Sequence, residues 1–522
     1  MIASLTHGLR LMRAAFVLAR GGVFAVIDPM PLPPMARLAV KLARLVERPA
    51  SEIDAHRLSA ALAALGPSYV KLGQFLATRQ DVVGVALARD LENLQDKIAP
   101  FGQKEAEAVI AQALEKPVAE IFSSFSPPVA AASIAQVHRA TTRDGRTVAV
   151  KVLRPGVERR FRIDLDAFYF VARRAEEFSA EARRLRLIEV VDTLARSVKI
   201  EMDLRLEAAA LSEMAENTRD DPDFRVPQVD WDLTAKDVLT MEWIDGTPLS
   251  DRAALAKKDY DLPKLGRIVI QSFLRHAMRD GFFHADMHPG NLFVDNEGRL
   301  VAVDFGIMGR LGHKERRFLA EILHGFITRN YRRTAEVHFE AGYVPAHHSV
   351  DAFAQAIRAI GEPIHNRSAE DISMAKLLTL LFEVTSLFDM RTRPELLLLQ
   401  KTMVVVEGVA RALDPKLDMW TTSEPVVRDW ITRNLGPVGR IEEAAGGAME
   451  VGRFVGQVPG LLNRAARLAD QLDAATRDGI LLAPETVAAI GRAEARRNRA
   501  STVGIWVIAV LLALMAWLLL RY

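Results

Sequence analysis

Residues Val129 to Val152 read VAAASIAQVHRATTRDGRTVAVKV, two strand-forming runs joined through Asp144-Gly145. An Asp-Gly pair between two such runs is a strong hairpin signal, because glycine accepts the positive φ that a tight turn needs. A lone hairpin is barely stable in water, so it needs further strands or a helix against its apolar face. Much of the remaining chain reads as helix, with apolar residues recurring every three or four positions. Residues from about 51 to 122 follow that pattern after PMPLPP (Pro29 to Pro34) breaks a first helical stretch, and Gly66-Pro67 and Gly84 punctuate it. A further β-type run, DVLTMEWI (Asp237 to Ile244), ends at Asp245-Gly246. Another, LFVDNEGRLVAVDFG (Leu292 to Gly306), folds back around Asn296-Glu297-Gly298. A small β-containing part therefore precedes a larger helical one.

At 522 residues the chain exceeds one compact core, and two or more units are expected. Its 68 basic and 66 acidic residues leave a net charge of +2, which argues against a general nucleic-acid binder. There are no cysteines, so disulfides, thiolate metal sites and cysteine nucleophiles are excluded.

Thr502 to Leu520 (TVGIWVIAVLLALMAWLLL) carries no charge over 19 residues. As a helix it would extend roughly 28 Å, close to the hydrocarbon thickness of a bilayer. Trp506 and Trp517 lie toward its ends, where interfacial aromatics are favoured. A buried core helix is the competing reading, but such a helix seldom lacks a polar face. Arg492, Arg496, Arg497 and Arg499 precede the run, so the positive-inside rule sets the bulk of the chain on the cytoplasmic side. The expected location is the cytoplasmic membrane, with one C-terminal anchor. Arg10, Arg13 and Arg20 interrupt the first apolar stretch, which therefore does not read as a secretory signal. It could be a surface-lying amphipathic helix or a plain exposed one.

The chemistry-bearing residues come in a set order. Lys151 closes Val-Ala-Val-Lys. Asp286 and Asn291 stand five apart in HADMHPGN (His284 to Asn291), and Asp304-Phe305-Gly306 follows after a hairpin. Each motif alone is weak, but together they have the order and spacing of a protein-kinase site. Phosphoryl transfer needs positioning and charge neutralisation more than covalent chemistry. Lys151 would contact the phosphates of ATP, and Asp286 would meet the attacking hydroxyl or water. Asn291 and Asp304 would hold Mg²⁺, a hard cation that prefers oxygen ligands. His284 is expected to pack and hydrogen-bond, and His288 to position the loop. Ordinary kinases have glycines over the phosphates, whereas this chain has Ala130, Ala131, Ala132 and Ala135. Ala285 replaces the arginine that receives an activation-loop phosphate. No Ala-Pro-Glu follows within a few dozen residues of Asp304, so a protein substrate is disfavoured.

These stretches, with KLGQ (Lys71 to Gln74), LQD (Leu94 to Asp96), AAASIAQVH and EMDLRLEA (Glu201 to Ala208), resemble the UbiB family of atypical kinases, the ADCK group. The likeness runs from about residue 65 to 310 and is specific in combination. It implies an α+β, protein-kinase-like two-lobe fold with a helical N-terminal extension and a C-terminal transmembrane helix. It also implies Mg²⁺-dependent ATP binding and a role in ubiquinone biosynthesis at the membrane, with a lipid or prenylated phenol precursor and other quinone-biosynthesis proteins as partners. An alanine-rich lid, Val129, Ala130, Ala131, Ala132, Ser133, Ile134, Ala135, Gln136 and Val137, would cover the nucleotide. Ser133 and the loop amides would touch phosphate. The methyl groups make positive φ costly, so altered nucleotide preference and slower transfer are expected. Glu207 would pair with Lys151. Lys71 and Gln74, three apart on one helix face, would act as regulatory residues, with Lys71 facing Glu201 and Asp203. By periodicity Asp203 and Glu207 share a face, and Glu201 points elsewhere.

The resulting division is a possible membrane-surface segment at 1–50, the KxGQ extension at 51–125, an N-lobe with helical insert at 126–244, a C-lobe at 245–420, a helical region at 421–500 and the span at 502–520. Two other functions compete with this reading. A non-catalytic nucleotide-binding scaffold suits the altered lid and the missing peptide platform, but not the intact Asp286, Asn291 and Asp304. A polyprenylphenol hydroxylase would need a flavin or redox metal. No dinucleotide fingerprint, cysteine or histidine–carboxylate iron triad supports that reading.

Overall fold

A computed structural model describes residues 12–23, 57–77, 99–178, 180–258, 260–364 and 394–436, with scattered positions in 41–47, 79–94 and 384–390. The chain forms two units, 1–431 and 432–522, the second almost wholly outside the described residues. Among the described residues no helix is long and apolar enough to cross a membrane. The expected span at 502–520 lies outside them, as do most of the proposed 1–50 segment and Gln95-Asp96 of LQD.

The hairpin forms. Strands β2 (Ala135–Thr142) and β3 (Thr147–Leu153) pair antiparallel about Gly145, whose φ is +89°. Strand β1 (Phe122–Ala131) lies outside β2 and β5 (Val238–Glu242) outside β3, giving the order β1-β2-β3-β5. Side chains alternate across this sheet. Val148, Val150, Val152 and Val238 face one way and pack with Ala106 and Ile110 of α3 (Gln103–Leu114). Ala135, Leu153 and Leu239 face the other way. They join a core built from α1 (Arg57–Leu65), α2 (Pro67–Ala77), α4 (Val157–Phe178), α5 (Leu187–Glu201) and α6 (Leu204–Asn217). The extension thus covers both faces of the sheet, each buried aliphatic side chain contributing roughly 1.5–3 kcal/mol.

The second lobe is centred on α7 (Leu262–Arg275). Asp261 caps it by accepting the Lys264 N–H at 2.9 Å, and Leu265, Ile268, Val269 and Phe273 are buried. A π-helical turn, His276–Asp280, follows and stops at Gly281. Small sheets then carry the site. Strands β4 (Phe224–Arg225), β6 (Gly246–Pro248), β8 (Leu292–Asp295) and β9 (Leu300–Ala302) form one, ordered β4-β9-β8-β6. Strands β7 (Phe282–His284) and β10 (Met308–Arg310) form the other. Helices α8 (His313–Ile327), α9 (Tyr331–Glu340) and α10 (Val350–Gly361) follow, then α11 (Pro394–Leu413), which packs along α7, and α12 (Met419–Leu435).

Asp221 anchors the start of β4 to α7. It accepts from Arg279 at 2.6 Å and from the buried His276 at 3.2 Å, while Arg275 reaches Asp223 at 3.0 Å. Gly281 enters β7 with φ of +65°, and a Cβ there would lie 2.5 Å from the Leu311 carbonyl oxygen. A Gly281→Ala substitution combines left-handed strain with a backbone clash. It is expected to destabilise by about 2–4 kcal/mol, read as a lower urea midpoint at unchanged slope.

Candidate active site

Lys151 is central to β3, opposite Val137 of β2 and Leu239 of β5. Its Nζ donates to both Glu207 oxygens, at 2.7 and 2.9 Å, and to Asp304 Oδ1 at 3.1 Å. Glu207 lies in the first turn of α6 and also accepts the Phe305 N–H. Lys151 and Glu207 are buried, whereas the Asp304 side chain is 46% exposed. Burial works against the Lys151 charge, but the two carboxylates outweigh it and raise its pKa. Burial pushes Glu207 up despite Lys151. Partial desolvation in the cleft is outweighed at Asp304 by the adjacent ammonium, which holds it well below the carboxylate range. Asp304 sits at φ +63°, a left-handed conformation that a non-glycine residue holds only when its surroundings fix it. The Lys151 bond and a 3.3 Å bond accepted from the Gly306 N–H supply that.

The loop between β7 and β8 presents Asp286 and Asn291. His284 Nε2 donates to the Val303 carbonyl at 3.1 Å, and its Nδ1 accepts the Asp286 N–H at 3.0 Å, which sets the neutral tautomer. Its ring meets Phe305 edge-on at 5.0 Å. Asn291 Nδ2 donates to the Asp286 carbonyl at 3.1 Å, leaving Oδ1 for another partner. His288 Nδ1 accepts the Gly290 N–H at 3.0 Å, so its Nε2 carries the proton, 3.9 Å from Asp286 Oδ2. Asn291 Oδ1 and Asp304 Oδ2 are hard oxygen donors, a pair that fits Mg²⁺.

The alanine-rich segment is strand and turn. Ala130 pairs with Val137 and Ala131 with Gln136, and no residue from Val129 to Val137 has positive φ. Val129 and Ala130 are exposed, Ala131, Ala132 and Val137 half-buried, and Ser133, Ile134, Ala135 and Gln136 buried. The Ser133 hydroxyl has no protein partner. Gln136 departs from its expected place at the nucleotide. It lies on the sheet face opposite Lys151, where its amide oxygen accepts the Phe101 N–H at 3.0 Å. Arg154 donates to the Ala132 carbonyl at 3.1 and 3.0 Å and to the Ala99 carbonyl at 2.9 Å, fastening the turn to the extension.

Lys71 Nζ meets Glu201 Oε2 at 2.7 Å, both side chains largely buried, and Gln74 donates to the Leu94 carbonyl at 3.5 Å. Lys71 is expected to face Asp203 as well, but Asp203 instead caps α6, accepting the Arg205 N–H at 3.2 Å and pairing with its guanidinium at 2.7 Å. The periodicity argument fails there because the helix breaks at Met202-Asp203. Glu201 ends α5 and Glu207 begins α6, so no single helical phase relates them.

One contact was not legible in the motifs. Thr402 of α11 is fully buried, and its hydroxyl lies 3.1 Å from the Ala285 carbonyl in the catalytic-type loop and 2.8 Å from the Leu398 carbonyl. The available signal is a hydroxyl set within the apolar run of LLLLQKTMVVV.

Comparison with known proteins agrees with this architecture. Residues 93–338 match the ABC1 atypical kinase-like domain and 357–418 the UbiB helical domain. The fold and site therefore define an atypical kinase-like protein. A "Probable protein kinase UbiB" from Marinobacter nauticus is 40% identical over 444 residues, covering 84% of this chain and 81% of that protein. The protein of the same name from Azotobacter vinelandii is 41% identical over 407 residues, covering 77% and 76%. The chain belongs to the UbiB family. A solved structure of Mycobacterium tuberculosis Rv3197 with erythromycin, 24% identical, has the same fold at a TM-score of 0.52, covering 75% of this chain and 95% of that one.

Two expectations follow. Burial lowers the pKa of His284 and His276, so between the ordinary imidazole value of about 6.5 and their folded values the unfolded chain alone binds the protons. Stability is then lost as pH falls below about 6.5, before the carboxylates titrate, and urea midpoints at pH 8, 6 and 5 should show the decline. Thr402→Val keeps the shape of α11 but removes the bond to Ala285. It should lower the unfolding free energy by about 1 kcal/mol, the worth of a neutral hydrogen bond, read as a lower urea midpoint at unchanged slope.

Proposed function

We propose that this protein binds Mg-ATP between Lys151 and the Asp286–Asp304 loops and moves its γ-phosphate in support of ubiquinone biosynthesis. The membership of the UbiB family supports the pathway. The observation that carries the chemistry is the shared ammonium of Lys151, held by Glu207 and Asp304 within hydrogen-bonding distance of both.

Lys151 would exchange its Asp304 contact for phosphate oxygens while Glu207 keeps it oriented. Asp304 and Asn291 would hold Mg²⁺, which neutralises phosphate charge when bound. Asp286, with its N–H fixed by His284, presents its carboxylate to the attacking hydroxyl or water, and His288 lies beside it. The uncharged run at 502–520 would anchor the enzyme at the membrane, close to a prenylated phenol or lipid.

The test follows the γ-phosphate of labelled Mg-ATP with full-length protein, liposomes and a prenylated phenol. Asp286→Asn is expected to lower turnover by about 10²-fold or more, as removal of a positioned base does. Label in water defines an ATPase and label on lipid a small-molecule kinase. Turnover unchanged in the variant, or absent with both acceptors while nucleotide still binds, would overturn catalysis in favour of a nucleotide-binding scaffold.

A further inference from the structure

A turn after α9 places His347 and His348 ahead of α10, and Asp389 lies across from them. Both imidazole Nε2 atoms face the same oxygen, Asp389 Oδ2, at 3.8 and 3.2 Å. The two rings stand 4.1 Å apart at 38°, and the three donor groups lie within 4.8 Å of one another. We propose that His347, His348 and Asp389 form a binding site for a divalent transition metal of the zinc class.

The spacing is the first argument. Zinc holds histidine nitrogen and carboxylate oxygen at about 2.0–2.2 Å, and tetrahedral geometry then sets neighbouring donors about 3.4 Å apart. The two histidine–aspartate separations fall on either side of that distance by a few tenths of an ångström. A simple ion pair to Asp389 would need one imidazole; here two adjacent imidazoles converge on one carboxylate oxygen. Protonated together they would repel, whereas neutral they are ready ligands. Two imidazole nitrogens with one carboxylate oxygen, a histidine–carboxylate set that sequence spacing alone does not reveal, favour zinc, iron(II), cobalt, nickel or copper over magnesium or calcium.

The surroundings hold one donor, His348, in place. The His348 ring rests on Phe388 at 5.3 Å, and its backbone N–H donates to the Pro345 carbonyl at 3.2 Å. Its side chain is 19% exposed, while those of His347 and Asp389 are each 67% exposed. The site is thus anchored on one ligand and open on the other side, with a coordination position for water or an external donor. His347 and His348 lie between the segments matched at 93–338 and 357–418, and Asp389 lies within the second. A bound ion would clasp the linker to the helical domain. The site is separate from Asn291 and Asp304, whose donors are oxygens only.

The experiment uses the full chain, stripped with EDTA and supplied with Mg-ATP, and titrates Zn²⁺ against a chromophoric chelator. Co²⁺ serves as a visible probe of coordination. One equivalent of Zn²⁺, an intense four-coordinate Co²⁺ spectrum and a Zn²⁺-dependent rise in the thermal midpoint are expected. His347→Ala, His348→Ala and Asp389→Ala should each weaken Zn²⁺ at least tenfold and abolish the Co²⁺ band. The exposed His347 and Asp389 can be replaced without opening the core, which circular dichroism checks. No Zn²⁺ binding in competition with the chelator, or binding that survives His347→Ala and Asp389→Ala unchanged, would overturn the proposal.

Discussion

The organisation of the site depends on one buried ammonium. Lys151 is placed by β3, Glu207 by α6 and Asp304 by the turn after β9, so the shared hydrogen bonds join three elements, with the Phe305 N–H to Glu207 as a further tie. Buried ion pairs add little net stability, because desolvation consumes most of the attraction. They do penalise misplacement, since leaving one charge unpaired costs about 3–5 kcal/mol. The trio is better understood as a register device than as a source of stability. It also explains why Asp304 can hold a left-handed backbone, which would relax if its carboxylate lost Lys151 and the Gly306 amide.

The sheet that carries Lys151 has little free surface. α3 closes the face of Val148, Val150 and Val152, and α1, α2, α4, α5 and α6 close the other around the cleft. The extension enters further through Gln136 and Arg154, which tie the turn at Ala132 to Ala99 and Phe101. A glycine-rich lid gains its reach from backbone freedom. This one is paired strand up to Ala131 and is pinned by a guanidinium beyond it. Its movement is therefore coupled to the extension, whatever the intrinsic stiffness of alanine.

The parts of this arrangement that were legible in sequence are those with local causes. The Asp144-Gly145 turn, the hairpin around Asn296-Glu297-Gly298 and the order of Lys151, Asp286, Asn291 and Asp304 follow from turn chemistry and fixed spacing. What could not be read depends on contacts between distant segments. Gln136 lies next to Val137, yet strand alternation sends it to the opposite face, where Phe101 receives it. Asp203 and Glu207 have helical spacing, but a break at Met202 makes one a cap and the other a buried partner of Lys151. Thr402 is 117 residues from Ala285, and no motif links them. Periodicity finds the face of an element; it does not find where that element ends or what lies beyond it.

The Thr402 contact has a consequence for where the kinase-like unit stops. The kinase-like match ends at 338, but the loop that presents Asp286 rests on α11, and the Trp430 indole of α12 donates to the Met278 carbonyl at 2.8 Å. Val406, Val409 and Leu413 of α11 belong to the same core as Phe273 and Phe283. Cutting the chain after residue 338 would bare this apolar stripe and leave a buried carbonyl beneath the active loop without its donor. The smallest piece able to fold is thus set by the second lobe's core, and it extends through Trp430 of α12.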